Sequence, residues 1–374
     1  MKIVHIITSL GDGGAEHTLF KICKYDTKNE HTVISLRGPG KYSLPLRKMG
    51  IRVYFLNMSF YSFFKFLILI KLLRFLKPDI VQTWLVHADF IGSIAAKLVG
   101  IKNIIWNIRY SNLEYKKAKL LTIFLIRLLS KLSYFVPKLI VIVSKKAKKI
   151  YESEGYVKKK LRFIPNGYDL KLLKPKDIEK KKFKKKISKQ LPIIGNVARY
   201  DPKKDHLNLI KALSLIRSKK IDFLCFFSGS KVNQNNSKLT SEIKKLKLEK
   251  NIILIGQNDN ILQIMNGIDL YVQSSSYGEG FPNVVAESMA CGTPCVVTDV
   301  GDASLIVGKS GWVVPPNNPN KLAKAIEIAL KEIKTRRWNK RCNLARLRIK
   351  INFDISKMIK SYNELWYQVY NKKN

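Results

Sequence analysis

The stretch that decides the fold is residues 278–297, Gly-Glu-Gly-Phe-Pro-Asn-Val-Val-Ala-Glu-Ser-Met-Ala-Cys-Gly-Thr-Pro-Cys-Val-Val. Glu279 and Glu287 stand on either side of a predicted helix start. Pro282 suits the first helical turn, where a missing N–H is not needed. Gly292 suits the position just past the helix end. With an apolar run on each side, the stretch predicts a strand–loop–helix–strand unit.

This unit combines two kinds of binding group. A helix start offers free backbone N–H groups and a positive dipole end, which suit phosphate. Carboxylates such as Glu279 and Glu287 accept hydrogen bonds from sugar hydroxyls. Each feature alone has a simpler explanation, because a glutamate on a helix is usually a solvated surface residue. Together they favour a nucleotide sugar as the ligand.

The same alternation of apolar runs and helical patterns extends along the whole chain, which is typical of doubly wound parallel sheets. The predicted strands are 2–8, 31–36, 53–56, 80–83, 104–107, 139–143 and 161–164, then 193–197, 221–227, 252–255, 268–273, 295–298 and 313–314. Residues 59–76, 115–135, 320–335 and 352–371 have helical patterns. A basic stretch, 171–190, separates the halves. We therefore predict two Rossmann-like domains, residues 1–175 and 190–354, with ligands beyond the carboxyl ends of their strands.

Composition restricts the possible partners. The formal net charge is +42, from 69 Lys and Arg against 27 Asp and Glu. Such a charge suits nucleic acid or an anionic membrane surface, although the lysine runs are dispersed as if they lay on solvated faces. The predicted helices in 59–76 and 115–135 are aromatic and basic, so they are either membrane-interface helices or half-buried helices of a Rossmann-like domain. Lysines and an arginine interrupt 60–76, which excludes a comfortable membrane span, and five scattered cysteines favour a reducing compartment.

The block 278–297 closely resembles the Glu-x7-Glu segment of family 4 retaining glycosyltransferases, two-domain enzymes of the GT-B type. The glutamate spacing, Gly-Phe-Pro at 280–282 and Ala-Cys-Gly-Thr-Pro at 290–294 all coincide. Further matches lie at Gly13-Gly14, at 165–167 and at Arg199 with Lys204, so the resemblance covers essentially the whole chain. It implies an α/β fold of the GT-B type, with two Rossmann-like doubly wound parallel sheets facing a central cleft. It also implies that a last helix, 355–374, packs back on the first domain.

The resemblance implies the roles of the donor-side residues. Arg199 and Lys204 follow the first strand of the second half and are similar to the family's Arg-x4-Lys, which contacts the donor diphosphate; Lys203 is a competing candidate by proximity. A guanidinium and an ammonium suit that clamp. The resemblance assigns Glu287 to the ribose hydroxyls and Glu279 to the donor sugar, and it counts Glu279, Arg199 and Lys204 as catalytic. The remaining donor-side candidates are Gly13, Gly14, Gln257, Asn258, Gly280 and Phe281, the last two through their backbone.

The acceptor side resembles the family less closely. His87 matches a segment that places a family histidine near the acceptor, although a lone histidine is more often a structural residue. Relatives usually have a histidine around the position where this chain has Arg109 and Tyr110. These three residues are the acceptor-side candidates.

The implied activity is retaining transfer of a hexosyl or N-acetylhexosaminyl group from a UDP-linked donor to a glycan or lipid-linked acceptor, in the synthesis of a surface polysaccharide such as lipopolysaccharide. No cofactor or metal is expected, because cationic side chains and a helix start would replace Mg²⁺. The expected location is cytoplasmic, peripheral at the inner face of the plasma membrane, and nucleic acid is not an expected partner. The alternatives are a basic polyanion-binding or nucleic-acid-binding protein and a nucleotide-sugar epimerase on the same fold.

Overall fold

A computed structural model of the chain describes residues 1–58, 63–109, 120–176, 178, 191–258 and 260–371. These residues form two compact units. Unit 1 contains Met1–Gly167 and the C-terminal segment from Ile355, and unit 2 contains Tyr168–Asp354. Each unit is built on its own parallel sheet, as the alternating pattern predicts.

Unit 1 contains seven strands and seven α-helices within the described ranges. Its strands are β1 (Lys2–Ile7), β2 (Glu30–Ser35), β3 (Arg52–Phe55), β4 (Ile80–Trp84), β5 (Ile104–Ile108), β6 (Leu139–Ile142) and β7 (Leu161–Phe163). Its helices are α1 (Gly14–Tyr25), α2 (Ser43–Lys48), α3 (Phe63–Leu76), α4 (Val86–Leu98), α5 (Leu120–Leu132), α6 (Lys145–Ser153) and, at the end of the chain, the helix Ile355–Asn371. The strand order is β3-β2-β1-β4-β5-β6-β7, and every pair of neighbours is parallel. The strands are apolar runs because helices cover both faces of such a sheet.

The two faces of this sheet carry different helices. Buried residues of α3, α4, α5 and α6 share one core cluster with the strands. Buried residues of α1 and of the C-terminal helix form the cluster on the other face. The C-terminal helix contributes one stripe of buried side chains, Met358, Tyr362, Leu365, Trp366 and Val369. Its apolar face is therefore part of the core of unit 1.

Unit 2 repeats this design with six strands. They are β8 (Ile193–Val197), β9 (Leu224–Ser228), β10 (Ile252–Gly256), β11 (Leu270–Gln273), β12 (Cys295–Thr298) and β13 (Trp312–Val314). The helices are α7 (His206–Ser218), α8 (Ser237–Lys245), α9 (Ile261–Gly267), α10 (Asn283–Ala290), α11 (Ala303–Val307), α12 (Pro319–Ile333) and α13 (Arg337–Asn352), so the C-terminal helix of unit 1 is α14. The order is β10-β9-β8-β11-β12-β13, all parallel. Strand order thus reverses between β8 and β11, as it does between β1 and β4 in unit 1, and such points are where doubly wound sheets bind ligands.

The boundary between the units lies at Gly167, before the predicted end of the first domain at 175. Hydrogen bonds anchor the next residues to unit 2. The Tyr168 N–H donates to the carbonyl of Phe353 at 2.9 Å, and the Tyr168 hydroxyl donates to Asn283 Oδ1 at 2.7 Å. Because unit 2 holds this segment, the predicted start of the second domain at 190 is also too late.

The α/β doubly wound class is confirmed, and the observed strands match the predicted ones within a few residues. Gly292 has a φ of 81° just after α10, as predicted, whereas Pro282 lies one position before the helix rather than in its first turn. Helix α13 follows α12 with no strand between them and so falls outside the predicted alternation, and its buried face consists only of Trp338, Ala345 and Ile349. In the described ranges, every helix is too short or too polar to cross a bilayer.

Candidate functional site

The candidate donor site lies at the carboxyl ends of β8 and β11 in unit 2. Arg199 and Lys204 follow the end of β8, and Glu279 follows the end of β11. These strands are neighbouring and parallel, so both loops leave the same edge of the sheet. The topology therefore brings the predicted cations and the predicted carboxylate to the reversal of strand order.

Lys204 and Glu279 form an ion pair there. Lys204 Nζ lies 2.5 Å from Glu279 Oε1, and the Ser275 hydroxyl donates to the same oxygen at 2.7 Å. The side chains are 21% and 9% exposed. Removing either member of such a shielded pair would leave an uncompensated charge. The attraction therefore holds the two side chains together.

Three consecutive serines after β11, 274–276, tie this loop to the loop after β8 and to β12, and they are not among the residues predicted from the sequence. The Ser274 hydroxyl donates to the carbonyl of Lys204 at 3.0 Å, and the Ser276 N–H donates to the carbonyl of Lys203 at 2.9 Å. The carbonyl of Ser275 accepts from the Thr298 hydroxyl at 2.6 Å. The ion pair is thus positioned by a bonded framework, and a run of serines directly after a buried strand was the available signal.

Arg199 and Lys203 are held less firmly than Lys204. Arg199 Nε lies 3.4 Å from Asp201 Oδ2, and the arginine side chain is 57% exposed. Lys203 Nζ lies 3.7 Å from the same oxygen. Burial opposes ionisation of Asp201, but the Lys203 N–H and the two cations lower its pKa overall. Arg199 therefore remains accessible for an anion, and Lys203 and Lys204 have different partners.

The segment after Glu279 carries the other predicted donor-side residues. Phe281 is buried and its ring packs against that of Phe353, with 5.3 Å between centroids, so its side chain is part of the packing of unit 2. The carbonyl of Gly280 accepts from the Asp302 N–H at 2.7 Å. Glu287 is half-buried on α10, one helical turn from its end.

Gly301 in the loop after β12 is a second feature that the sequence analysis missed. It has a φ of 57°, and a Cβ added to it would lie 2.4 Å from the carbonyl oxygen of Glu279. Glycine is required where backbones approach so closely. The loop that carries Glu279 is therefore supported from β12 as well as from β8, and a glycine just after a strand was the sequence signal.

Gln257 and Asn258 follow β10, which is the edge strand beyond β9. Gln257 is exposed, and Asn258 Oδ1 accepts from the Asn260 N–H at 2.8 Å. The structure places both residues on the carboxyl edge that also carries the ion pair. They are separated from β8 by one strand.

In unit 1, Gly13 and Gly14 stand where β1 gives way to α1. Gly13 is the residue before the helix, and a Cβ added to it would lie 2.3 Å from Glu16 Oε2. Glu16 Oε1 accepts from the Ser9 hydroxyl at 3.2 Å. The absence of a side chain at Gly13 thus leaves room for the Glu16 carboxylate, which lies against the start of α1.

His87 lies in the first turn of α4, just after β4, and is exposed. It lines a cavity of about 160 Å³ with Leu85, Val86, Ile108, Arg109 and Thr122. This cavity belongs to the carboxyl edge of the unit 1 sheet. Tyr110, the third acceptor-side candidate, lies outside the described residues.

Arg109 is bonded within unit 1. Its Nε donates to Asn107 Oδ1 at 2.8 Å, Nη1 donates to Asn166 Oδ1 at 2.6 Å, and Nη2 donates to the Tyr362 hydroxyl at 2.7 Å. The guanidinium carbon also lies 5.2 Å from the centre of the Trp84 ring. Arg109 therefore ties the end of β5 to α14, a role that the sequence analysis did not predict.

Two family models match consecutive parts of the chain. The model described as Glycosyltransferase Family 4 matches residues 12–172, and the model described as Glycosyl transferases group 1 matches residues 177–342. The chain belongs to the family 4 glycosyltransferases. The predicted family, GT-B fold type and enzyme class are confirmed.

Known proteins similar to this family 4 glycosyltransferase include two curated relatives and one solved structure. UDP-Gal:alpha-D-GlcNAc-diphosphoundecaprenol alpha-1,3-galactosyltransferase of Escherichia coli is 27% identical over 83% of this chain and 81% of its own length. The putative glycosyltransferase EpsF of Bacillus subtilis is 27% identical over a region that covers 40% of this chain and 39% of EpsF. The crystal structure of HepE of Anabaena in complex with UDP superposes with a TM-score of 0.87 at 21% identity, covering 98% of this chain and 100% of HepE. The last likeness shows the fold.

One group of potential metal ligands occurs among the described residues of the glycosyltransferase, in the core of unit 1. It consists of His5, Cys23 and His31. His5 Nε2 and His31 Nδ1 lie 3.0 Å apart in a hydrogen bond, and His31 Nε2 lies 2.9 Å from Asp26 Oδ2. Trp84 Nε1 donates to the remaining nitrogen of His5 at 3.2 Å. Since all four ring nitrogens have partners, the group is a buried hydrogen-bonded network on the opposite side of the sheet from α4.

Proposed function

We propose that this enzyme transfers a sugar from a UDP-linked donor to a hydroxyl group of a glycan or lipid-linked acceptor, with retention of anomeric configuration, during surface polysaccharide synthesis. The observation that carries the proposal is the Lys204–Glu279 pair at the reversal of strand order in unit 2. The UDP in the HepE structure supports a uridine donor. The name of the E. coli relative supports a lipid diphosphate acceptor and a hexosyl group, and an N-acetylhexosaminyl group is the alternative.

In this proposal Arg199 and Lys204 bind the donor diphosphate. A planar guanidinium binds two phosphate oxygens at once, whereas an ammonium acts as a point charge. Fixed positive charge aimed at the leaving group is among the largest contributions to catalysis. The Ser275 bond to Glu279 keeps Lys204 in place through its ion-pair partner.

Other residues around this pair bind the rest of the donor. Glu279 accepts hydrogen bonds from hydroxyls of the transferred sugar, and Glu287 accepts those of the ribose. The remaining contacts are assigned to Gln257 and Asn258 for the base, the backbone of Gly280 and Phe281 for the phosphate or sugar, and Gly13 and Gly14 for the transferred sugar. We assign His87 to the acceptor side.

The reaction breaks the bond between the anomeric carbon and the diphosphate oxygen and forms a bond from that carbon to the acceptor oxygen on the same face. The acceptor proton passes to the leaving diphosphate, so no protein general base is assigned. Arg199, Lys204 and the backbone N–H groups at the start of α10 neutralise the departing charge. On this account the reaction proceeds without a divalent metal.

We place the enzyme in the cytoplasm, at the inner face of the plasma membrane. A lipid-linked acceptor resides there, and a net charge of +42 favours an anionic surface.

Thermal unfolding in the presence of EDTA tests the donor site. UDP, GDP and a random oligonucleotide are compared at two salt concentrations, and a ligand at 100 times its Kd adds about 2.7 kcal/mol of stability. We expect UDP to raise the midpoint and Glu287→Ala to abolish that shift. Glu249→Ala, which removes an exposed carboxylate of unit 2, is the matched control.

Each alternative function predicts a different outcome. A polyanion-binding protein responds to the oligonucleotide alone, and the response disappears at high salt. An epimerase converts the nucleotide sugar in the absence of any acceptor, through general acid and base groups. Either result would overturn the transferase proposal.

A further inference from the structure

The outer surface of helices α3, α4 and α5 in unit 1 is unusually apolar. Helix α3 is apolar almost all round, a pattern typical of a buried helix. Its inner residues, such as Leu69 and Leu73, are buried, yet Phe64 and Phe75 on its outer side are 79% and 75% exposed. A helix with this composition normally has a partner on both sides.

The exposed apolar side chains lie on three neighbouring helices. Helix α4 packs against both α3 and α5, and buried residues of all three belong to one core cluster, so their outer sides adjoin. Of the 23 exposed large hydrophobic residues in the described ranges, 11 lie on these helices or just after α5. We call them the docking face: Phe63, Phe64, Leu67, Ile68, Phe75, Ile94, Leu98, Leu121, Phe124, Tyr134 and Phe135. Exposed apolar patches of this kind mark interaction sites.

The charges on these helices have one sign. Their basic residues are Lys65, Lys71, Arg74, Lys97, Arg127 and Lys131. Their single carboxylate, Asp89, is 1% exposed and accepts from the Thr83 hydroxyl at 2.6 Å. On α3, Lys71 lies at helical spacing from Phe64 and Phe75, on the same stripe. Cations are thus interspersed with the exposed apolar side chains.

We propose that the docking face binds an anionic bilayer surface. Its apolar side chains would enter the boundary between headgroups and acyl chains, and its cations would contact lipid phosphates. A second copy of the chain fits less well, because pairing two such faces brings like charges together with no exposed carboxylate on either set of helices. Nucleic acid fits less well too, since its interfaces are polar and would leave the phenylalanines in water.

The docking face lies near the proposed acceptor site, and this part of the inference rests on the proposed function. His87 lies on α4 at helical spacing from Ile94 and Leu98, on the same outer stripe. The cavity beside His87 is also lined by Thr122 of α5. Both α4 and α5 therefore lead from the docking face to the acceptor-side cavity, where a lipid-linked acceptor held in the bilayer would present its headgroup.

Co-sedimentation of the full chain with vesicles tests this inference. We expect binding to phosphatidylglycerol vesicles and much weaker binding to phosphatidylcholine vesicles. Phe64→Ser combined with Phe75→Ser should weaken binding at least about tenfold by removing apolar contact. Lys71→Gln and Arg127→Gln should each weaken it about fivefold. The matched controls, Ile328→Ser and Leu344→Ser, alter residues of unit 2 that are each 45% exposed, and they should change nothing.

Two further readouts make the result decisive. The UDP-induced shift of the unfolding midpoint should be the same in all of these variants, so a failed donor site and a failed docking face are distinguishable. Equal binding to both vesicle types, or equal loss in the controls, would overturn the inference. So would sedimentation velocity showing a dimer that the double phenylalanine variant dissociates, with no vesicle binding by the unaltered chain.

Discussion

The two units share a strand order but place different chemistry at the corresponding point of the sheet. In unit 2 the loops after β8 and β11 carry the Lys204–Glu279 pair. In unit 1 the loop after β1 carries Gly13 and the first turn of α4, just after β4, carries His87, while Arg109 at the end of β5 bonds to α14. The topology determines where a ligand can bind, and the side chains on the loops determine which ligand it is.

Two buried ionisable groups extend this contrast to pH. Burial raises the pKa of Asp89, in α4 of unit 1, to about 8 despite the hydrogen bond from Thr83. Burial lowers the pKa of His206, at the start of α7 in unit 2, to about 4. Both side chains are therefore neutral at pH 7, and the contributions of these two residues to stability change in opposite directions with pH.

The largest expected effect separates the two adjacent lysines of unit 2. Lys204→Met should lower the rate of sugar transfer about 10²–10³-fold, because it removes fixed charge at the leaving group. Lys203→Met should leave the rate nearly unchanged, since Lys203 Nζ lies 3.7 Å from Asp201 rather than beside Glu279. Steady-state kinetics of both variants check this, and equal losses would show that the ion pair has no special role.

Gly301→Ala is expected to be the next most damaging change. Its Cβ would meet the carbonyl oxygen of Glu279 at 2.4 Å, so the loop must shift, and misplacement by about 1 Å costs on the order of 100-fold in rate. Gly50→Ala is the matched control: Gly50 also has a positive φ, 79°, but nothing lies within 4 Å of its Cβ position. If both variants lose activity equally, backbone strain rather than the support of Glu279 is responsible.

Arg109→Met tests whether the corresponding cation of unit 1 has a structural role. It removes donors to Asn107, Asn166 and Tyr362, so unfolding free energy should fall by about 2–3 kcal/mol. Urea denaturation measures this change, with the exposed Arg37→Met as the control. An unchanged denaturation midpoint combined with lost transfer would instead place Arg109 at the acceptor.

The remaining expected effects are those of pH, each carried by a single titrating group. Unfolded histidine has a pKa near 6.5, so between pH 6.5 and 4 the unfolded chain binds more protons and unit 2 loses up to about 3 kcal/mol as the pH falls. The folded pKa of Asp89 exceeds its unfolded value near 4. The contribution of Asp89 to the stability of unit 1 is therefore lost as the pH rises from about 4 toward 8. Unfolding midpoints are measured from pH 4 to 9 for both variants. The dependence of the midpoint on pH should become weaker on the acid side in His206→Asn and on the alkaline side in Asp89→Asn. Weakening on the alkaline side in His206→Asn, or on the acid side in Asp89→Asn, would contradict the two pKa shifts.

The sequence was sufficient to predict the strands and the edge of each sheet that carries the candidate residues. Apolar runs define the strands, and residues directly after them lie at the carboxyl edge whatever the detailed packing. Placement of Arg199, Lys204 and Glu279 at one edge follows from that rule alone.

Features that depend on distant partners could not be predicted in the same way. Arg109 bonds to Tyr362 across most of the chain, and the segment from Tyr168 joins unit 2 through Phe353 and Asn283. Neither contact leaves a local pattern. Helix α13 was missed for another reason, since its few buried side chains give little apolar periodicity.

Hydrogen–deuterium exchange with and without UDP, in the presence of EDTA, tests the central claim most directly. The claim is that unit 2 binds the donor through the loops after β8 and β11. We predict slower exchange in residues 198–204 and 274–287 when UDP is bound, with the loops of unit 1 at 8–14 and 85–87 unchanged. Protection confined to those loops of unit 1, with none in unit 2, would contradict the account.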